Sequence, residues 1–338
     1  MVKLDLTDRK ILFELDGDSR QSYSAIAKTL RTSPQVVKYR VENLYRAGVI
    51  QYCWPMIEYR KAGYFFGTYF FKLHNLDEKE EKRFFDYLNG HRFIPIVMRG
   101  EGYADLIAGV CAKGIFHLRD VVTELNNEFS DCFLDYDVTI PIGFSQFHRK
   151  YLVDSPWSGS AKSGEATAFT GADVKELALS ENERKVLSMV NFNARTPLIE
   201  IARRVGVSEI SAKSILRKLE QTGVIQSYAV LPDHVALGKP RHRVLLKLAN
   251  LTAERERTLF TYCRQHPNIV HHLRILGNWD LILDVEVERG EPFRQIIREM
   301  KFKFSDIIRR VEPTYVYKID AFRDIPVEFP ELNAPFEF

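Results

Sequence analysis

The chain has 338 residues, 45% of them hydrophobic and 28% charged, which is ordinary globular composition with length for about two domains. No run approaches the roughly 18–20 apolar residues that span a bilayer, and Met1-Val2-Lys3-Leu4-Asp5 carries no apolar signal core, so no membrane partner is expected. A net charge of +3 is too small by itself to indicate a nucleic-acid partner.

Three short helices open the chain. Asp5-x-x-Asp8 marks a first start, Ser22 a second and Ser33-Pro34 a third, with Leu12, Leu15, Ile26 and Leu30 as apolar positions. The third helix places Val37, Val41 and Leu44 on one face and ends at Gly48, a C-terminal glycine cap. Val49–Tyr52 then begins a strand or wing. Beyond it the pattern reads strand Tyr64–Leu73, helix Asp77–Asn89, strands Phe93–Gly100 and Asp105–Cys111, helix Ile115–Asn127 and strand Phe133–Phe144. This βαββαβ order indicates a ferredoxin-like α+β unit. Its second sheet face, with Tyr69, Phe71 and Tyr136 as candidates, needs a partner sheet.

The whole pattern then repeats at a constant offset of 175 residues. Arg9-Lys10-Ile11-Leu12 matches Arg184-Lys185-Val186-Leu187, and Gly48-Val49-Ile50-Gln51 matches Gly223-Val224-Ile225-Gln226. Gly102-x-x-Asp105-Leu106 matches Gly277-x-x-Asp280-Leu281. In the second copy Ser180-x-x-Glu183 is a capping box, Thr196-Pro197 a cap with proline at the first helical position, and Ser208-Glu209 the third start. The expected organisation is tandem: a winged helix-turn-helix (1–54) plus a ferredoxin-like unit (63–150), a flexible linker (154–174), then a second helix-turn-helix (179–230) and α+β unit (238–324). The tail from Ile325 is expected to lie extended on the surface. Residues 1–54 and 179–230 each net +3, so the rest of the chain nets −3. Positive charge is therefore concentrated in the helical units, as a phosphate-facing element requires.

Four scattered cysteines, Cys53, Cys111, Cys132 and Cys263, form no C-x-x-C pair. A disulfide framework and a four-cysteine zinc site are not expected, and a reducing cytoplasm fits best. Cys263-x-x-His266 with His271-His272 invites a metal reading, but adjacent strand residues point to opposite faces. Gly100-Glu101-Gly102 lacks the third glycine of a dinucleotide fingerprint, and no G-x-S-x-G, Walker loop or H-E-x-x-H occurs. No catalytic residue, cofactor or metal is expected.

A helix-turn-helix with a ribbon followed by a βαββαβ unit resembles the Lrp/AsnC family of transcription regulators, twice over. The resemblance rests on Asp8–Leu12, Ser33–Leu44, Gly48-Val49-Ile50 and the two G-x-x-D turns. It implies double-stranded DNA as the partner, an amino-acid effector, and a covalent intrachain pseudo-dimer able to self-associate further. It implies that the third helix enters the major groove through Ser33, Pro34, Gln35, Lys38, Tyr39 and Arg40 in copy one. Gln35 would read adenine, and Lys38 and Arg40 would hold guanine or phosphate. In copy two Ser208, Ser211, Lys213 and Arg217 are the candidates, while Glu209, Ser214 and Ile215 replace Pro34, Tyr39 and Arg40. A solvated helix face is the alternative for each. The resemblance also implies an effector site at Gly102, Tyr103 and Asp105 and at Gly277, Asn278 and Asp280. The alternative there is a tight turn needing Gly for its dihedrals and Asp for local hydrogen bonds. Siroheme decarboxylases resemble the same fold and use paired subunits; His91, Arg99, His266 and Arg274 would then face tetrapyrrole carboxylates. The positive helical units favour the regulator.

Overall fold

The computed structural model describes residues 2–74, 76–153, 159, 167–169 and 174–332. Copy one runs α1 (Leu6–Gly17), α2 (Tyr23–Leu30), α3 (Pro34–Arg46), β1 (Ile50–Ile57), β2 (Phe65–Leu73), α4 (Glu78–Gly90), β3 (Ile96–Gly102), β4 (Leu106–Ala112), α5 (Ile115–Phe129) and β5 (Phe133–Gln146). A short β6 (Thr167–Phe169) precedes copy two. That copy runs α6 (Glu181–Phe192), α7 (Leu198–Val205), α8 (Glu209–Gln221), β7 (Ile225–Pro232), β8 (Arg241–Leu248), α9 (Ala253–Gln265), β9 (Ile269–Gly277), β10 (Leu281–Glu286), α10 (Glu291–Lys303) and β11 (Ile308–Phe322).

The helix starts form where the caps place them. Asp5 and Asp8 exchange side-chain bonds with each other's amides, as do Ser180 and Glu183, and Ser33 accepts from the Val36 amide ahead of Pro34. Gly48 and Gly223 follow α3 and α8 with φ of 68° and 66°, a left-handed turn that a side chain would resist. One start differs. Thr196 donates its hydroxyl to the Asn193 carbonyl at 2.7 Å, so Pro197 is the cap residue and α7 begins at Leu198 without a side-chain cap.

In each α+β unit the strand order is ferredoxin-like, β5-β2-β4-β3 and β11-β8-β10-β9. The two long last strands join the copies. The first half of β5 pairs with β2 and its second half, Thr139–Gln146, with β9. Likewise β11 leaves β8 and pairs through Thr314–Phe322 with β3. Each sheet therefore serves as the other's partner, and their inner faces share one core containing Phe70, Met98, Ile107, Leu245, Ile275 and Ile282. The expected inner-face aromatics are out of phase by one residue: Tyr69 and Phe71 pack under α4 and α5 with Phe84 and Leu118, and Tyr136 stacks beside them. Side chains alternate along a strand, so Phe70 is the inward ring.

The wing strands also cross between copies, β1 pairing antiparallel with β7. The six helices of the two helix-turn-helix units and this ribbon bury one continuous core, including Ile11, Leu15, Val41, Val186, Val190 and Leu216. The tail is not a surface strap: Ile325 and Leu332 are buried in that core, with their carbonyls accepting from Asn191 and Arg204. The expected linker lies outside the described residues except for 159, 167–169 and 174; within it Thr167–Phe169 pairs with Phe144–Gln146 of β5. Among the described residues no helix is long and apolar enough to cross a membrane, and all four cysteines are free thiols.

Candidate nucleic-acid interface

The apolar seams of α3 and α8 turn inward, through Val37, Val41, Leu44 and through Ala212, Leu216, Leu219. The opposite faces are therefore open to solvent. Ser33, Pro34, Gln35, Lys38 and Tyr39 are exposed in copy one, and Ser208, Ser211, Lys213 and Arg217 in copy two. The two serine hydroxyls are committed to capping: Ser33 accepts from Val36, and Ser208 accepts from the Ser211 amide while its hydroxyl bonds that of Ser211. Tyr39 stands 62% exposed, an amphipathic ring well suited to a groove wall.

Arg40 departs from the expectation. Its Nη1 donates to Asp5 at 2.8 Å and to Asp8 at 2.7 Å, so it ties α3 to the cap of α1. Those carboxylates hold its pKa above the usual guanidinium value. Its charge is neutralised locally instead of facing a phosphate. Lys38 has only a loose partner, Glu42 at 3.7 Å. Arg31 is a further exposed basic side chain on this face of copy one. It closes α2 with φ of 54°, where copy two has Gly206, and its side chain is exposed beside the start of α3. A non-glycine left-handed residue in the turn is the sequence signal that marks it.

The two units are fixed to each other by reciprocal contacts. The Glu58 amide bonds the Val224 carbonyl and the Asp233 amide the Val49 carbonyl, both at 2.9 Å. The Ala194 amide bonds Cys53 and the Ser19 amide bonds Tyr228 in the same exchanged manner. A rigid two-unit arrangement sets the spacing at which two recognition helices meet a duplex.

The G-x-x-D turns lie where each sheet meets the other copy. Gly102 has φ of 121° and Gly277 of 139°. A Cβ there would stand 2.6 Å from the Pro313 carbonyl and 2.7 Å from that of Val138. Asp105 accepts from the Leu73 amide and from Lys72, and Asp280 from the Leu248 amide and Lys247. Both carboxylates thus hold the turn to its own sheet. Tyr103 and Asn278 do come together: both donate to Asp137, and the Trp279 indole donates to the Tyr103 hydroxyl at 3.1 Å. Trp279 is fully buried with Arg310 over its ring at 4.2 Å, and it fills the space between the turns.

The tetrapyrrole set does not converge. Arg99 is held by Asp320 and Glu81, and Arg274 by Glu256. His91 and His266 cap α4 and α9. His271 and His272 point to opposite faces as expected, one bonded to Asp284 and the other edge-on to Phe260. Among the described residues no cluster of three potential metal ligands occurs.

Sequence reasoning also missed a buried ion network. Asp16 of α1, Arg149 after β5, Glu286 and Asp284 of β10 and Arg241 and Arg243 of β8 form a continuous chain of pairs. Burial alone would raise the Glu286 carboxyl, but the Arg149 and Arg241 guanidiniums around it hold it below the usual range. Burial and Arg241 push His234 well below its ordinary value, so the ring is neutral.

Fold and exposed faces define a winged helix-turn-helix protein with two such units in one chain. The winged helix-turn-helix DNA-binding signature matches residues 4–51 and 179–226. The HTH-type transcriptional regulator AldR of Mycolicibacterium smegmatis is 25% identical over 150 residues, 44% of this chain and 88% of AldR. An uncharacterized HTH-type transcriptional regulator of Pyrococcus furiosus is 34% identical over 141 residues, 41% of this chain and 91% of its own length. The chain belongs to the Lrp/AsnC family of HTH-type transcriptional regulators. Among solved structures, the siroheme decarboxylase NirDL matches with a TM-score of 0.60 at 13% identity, covering 97% of this chain and 96% of that one. At that identity the likeness concerns the fold.

Proposed function

We propose that this chain is a sequence-specific DNA-binding transcription regulator, acting as a covalent pseudo-dimer whose two recognition helices read unlike half-sites. One observation carries the reading: α3 and α8 expose different polar faces from units locked together by exchanged backbone bonds. Gln35, Lys38 and Tyr39 serve copy one, with Arg31 at the entry to the groove, and Lys213 and Arg217 serve copy two. Base edges are read by Gln35, and the lysines and arginines set register on phosphates. An amino-acid effector would act at the paired G-x-x-D turns, where entry requires releasing Tyr103 from Asp137. No catalytic role is assigned.

The test is selection of bound fragments from a genomic library, followed by titration at several salt concentrations. The reading requires enrichment of one motif and an affinity that falls steeply with salt. Equal retention of all fragments would sink it. The second reading, tetrapyrrole decarboxylation, draws on the full-length likeness to NirDL. A Soret shift on mixing with an iron uroporphyrin, with no DNA selection, would favour it.

A further inference from the structure

Between β1 and the inner faces of both sheets lies a half-open cavity of about 80 Å³. Trp54, Met56, Phe66, Phe144, Leu273 and Phe322 supply large apolar side chains to its wall, and Trp54 meets Phe322 edge-on at 5.1 Å. A volume of this order suits a ligand of only a few heavy atoms, smaller than the benzene held by a cavity of about 150 Å³.

The cavity exists because the two copies have diverged at matched positions. Offset by 175 residues, Phe66, Thr68, Ile96, Gly109, Cys111 and Asp324 stand where the other half has Arg241, Arg243, His271, Asp284, Glu286 and Arg149. In that half, ion pairs fill the interior. On the cavity side the equivalent volume is left to small and apolar groups and one carboxylate. The ligand site is therefore single in a chain built from two copies.

Four ionisable side chains reach the wall: Tyr59, whose hydroxyl donates to the Pro141 carbonyl, Arg243, His271 and Asp324. Arg243 is spent on Asp284 through two bonds of 2.8 Å, and His271 bonds the same carboxylate at 2.8 Å. Asp324 is different. It lies deep in the molecule yet remains partly accessible, accepts from the Ile57 amide at 2.6 Å, and pairs with no basic side chain among the described residues. Burial pushes its carboxyl up to about 8, with Glu58 adding to the rise. An anion entering here meets a neutralised arginine and an unpaired acid. A cation meets ring faces and an acid with no basic partner among the described residues, which gives up its proton when a positive charge settles beside it, the two elements of organic-cation recognition.

We propose that this cavity binds one small organic monocation per chain, an amine on an apolar body, with Asp324 as counter-ion and the rings of Trp54, Phe66, Phe144 and Phe322 as walls. A polycarboxylate is a poor fit, because Arg243 is already paired with Asp284 and burial holds His271, bonded to the same carboxylate, below its ordinary pKa.

The test is calorimetric titration of the full chain, without DNA, so its failure leaves the DNA-binding reading untouched. Three probes share one short alkyl body: propylamine, 1-propanol and propionate. The expected result is one amine bound per chain, at least about tenfold tighter than the alcohol or the acid. Asp324→Asn keeps an acceptor for the Ile57 amide, and should remove that preference while leaving alcohol binding unchanged. Amine affinity no better than that of the alcohol in the wild-type chain overturns the proposal whether or not the variant folds. So does a stoichiometry of two, a folded Asp324→Asn that keeps the preference, or an iron porphyrin that competes with the amine.

Discussion

Arg20 and Arg195, equivalent positions of the two copies, each donate to the other copy's helix-turn-helix loop: Arg20 to the carbonyls of Ala194 and Thr196, Arg195 to those of Ser19 and Gln21. Arg195 also lies over the Tyr23 ring at 4.6 Å, and Arg20 over Tyr228 at 5.6 Å. The clamp ties the two helix-turn-helix units together, and under the proposed function it would set how far apart α3 and α8 stand.

Removing either arginine leaves part-buried carbonyls without their donor, at a cost of about 1–3 kcal/mol each. Arg20→Ala and Arg195→Ala should each lower stability by that amount in urea unfolding. Affinity for a DNA carrying both half-sites should fall further than affinity for one half-site. Equal losses on the two DNAs would show that the clamp does not set spacing.

Lys38 and Arg40 should separate cleanly. Lys38→Ala should weaken DNA binding and reduce the salt slope by about one, with little change in unfolding. Arg40→Ala should lower stability by about 0.5–1 kcal/mol, since the ion pairs it loses are partly exposed. A reversed pattern would return Arg40 to the DNA-facing set.

Gly102 and Gly277 should prove structural whatever their role toward an effector. Alanine at either meets a backbone carbonyl of the other copy at 2.6 or 2.7 Å, and a cost of about 2–4 kcal/mol follows from strain that neither strand can relieve. Thermal unfolding of Gly102→Ala and Gly277→Ala reads it directly; unchanged midpoints would mean that the strands separate easily.

Stability should fall toward both ends of the pH range, for opposite reasons. His234 and Glu286 have folded pKa values below their ordinary 6.5 and 4.5. The unfolded chain therefore binds more protons, and stability is lost as pH falls below those values. Asp324 is raised from 3.8 to about 8. Its folded form holds the proton more tightly, so its contribution is lost as pH rises through that window. Asp324→Asn should flatten the alkaline branch alone, and urea midpoints between about pH 5 and pH 9 would show it. Breaking the network with Arg149→Met, which strands Asp16 and Glu286, should cost about 3–5 kcal/mol.

The repeat, the helix caps and the βαββαβ order were legible in the sequence because they depend on neighbours within four residues or on one constant offset. The exchanges between copies were not. Phe133–Phe144 reads as one strand, but nothing within it shows that its second half leaves β2 to pair with β9. Asp16, Arg149, Arg241 and Glu286 look like ordinary surface charges until topology buries them together. Arg40 was misread for a related reason: its partners Asp5 and Asp8 were already recognised as a cap, and a cap carboxylate that also accepts a distant guanidinium leaves no local trace.

The most direct test of the central claim is a footprint of the intact chain on its selected DNA, repeated with each recognition helix disabled in turn. Gln35→Ala with Lys38→Ala should erase one half of the protected site, and Lys213→Ala with Arg217→Ala the other, with the two halves differing in sequence. Loss of the same half in both variants, or protection of a perfect palindrome, would contradict two unlike DNA-reading units in one chain.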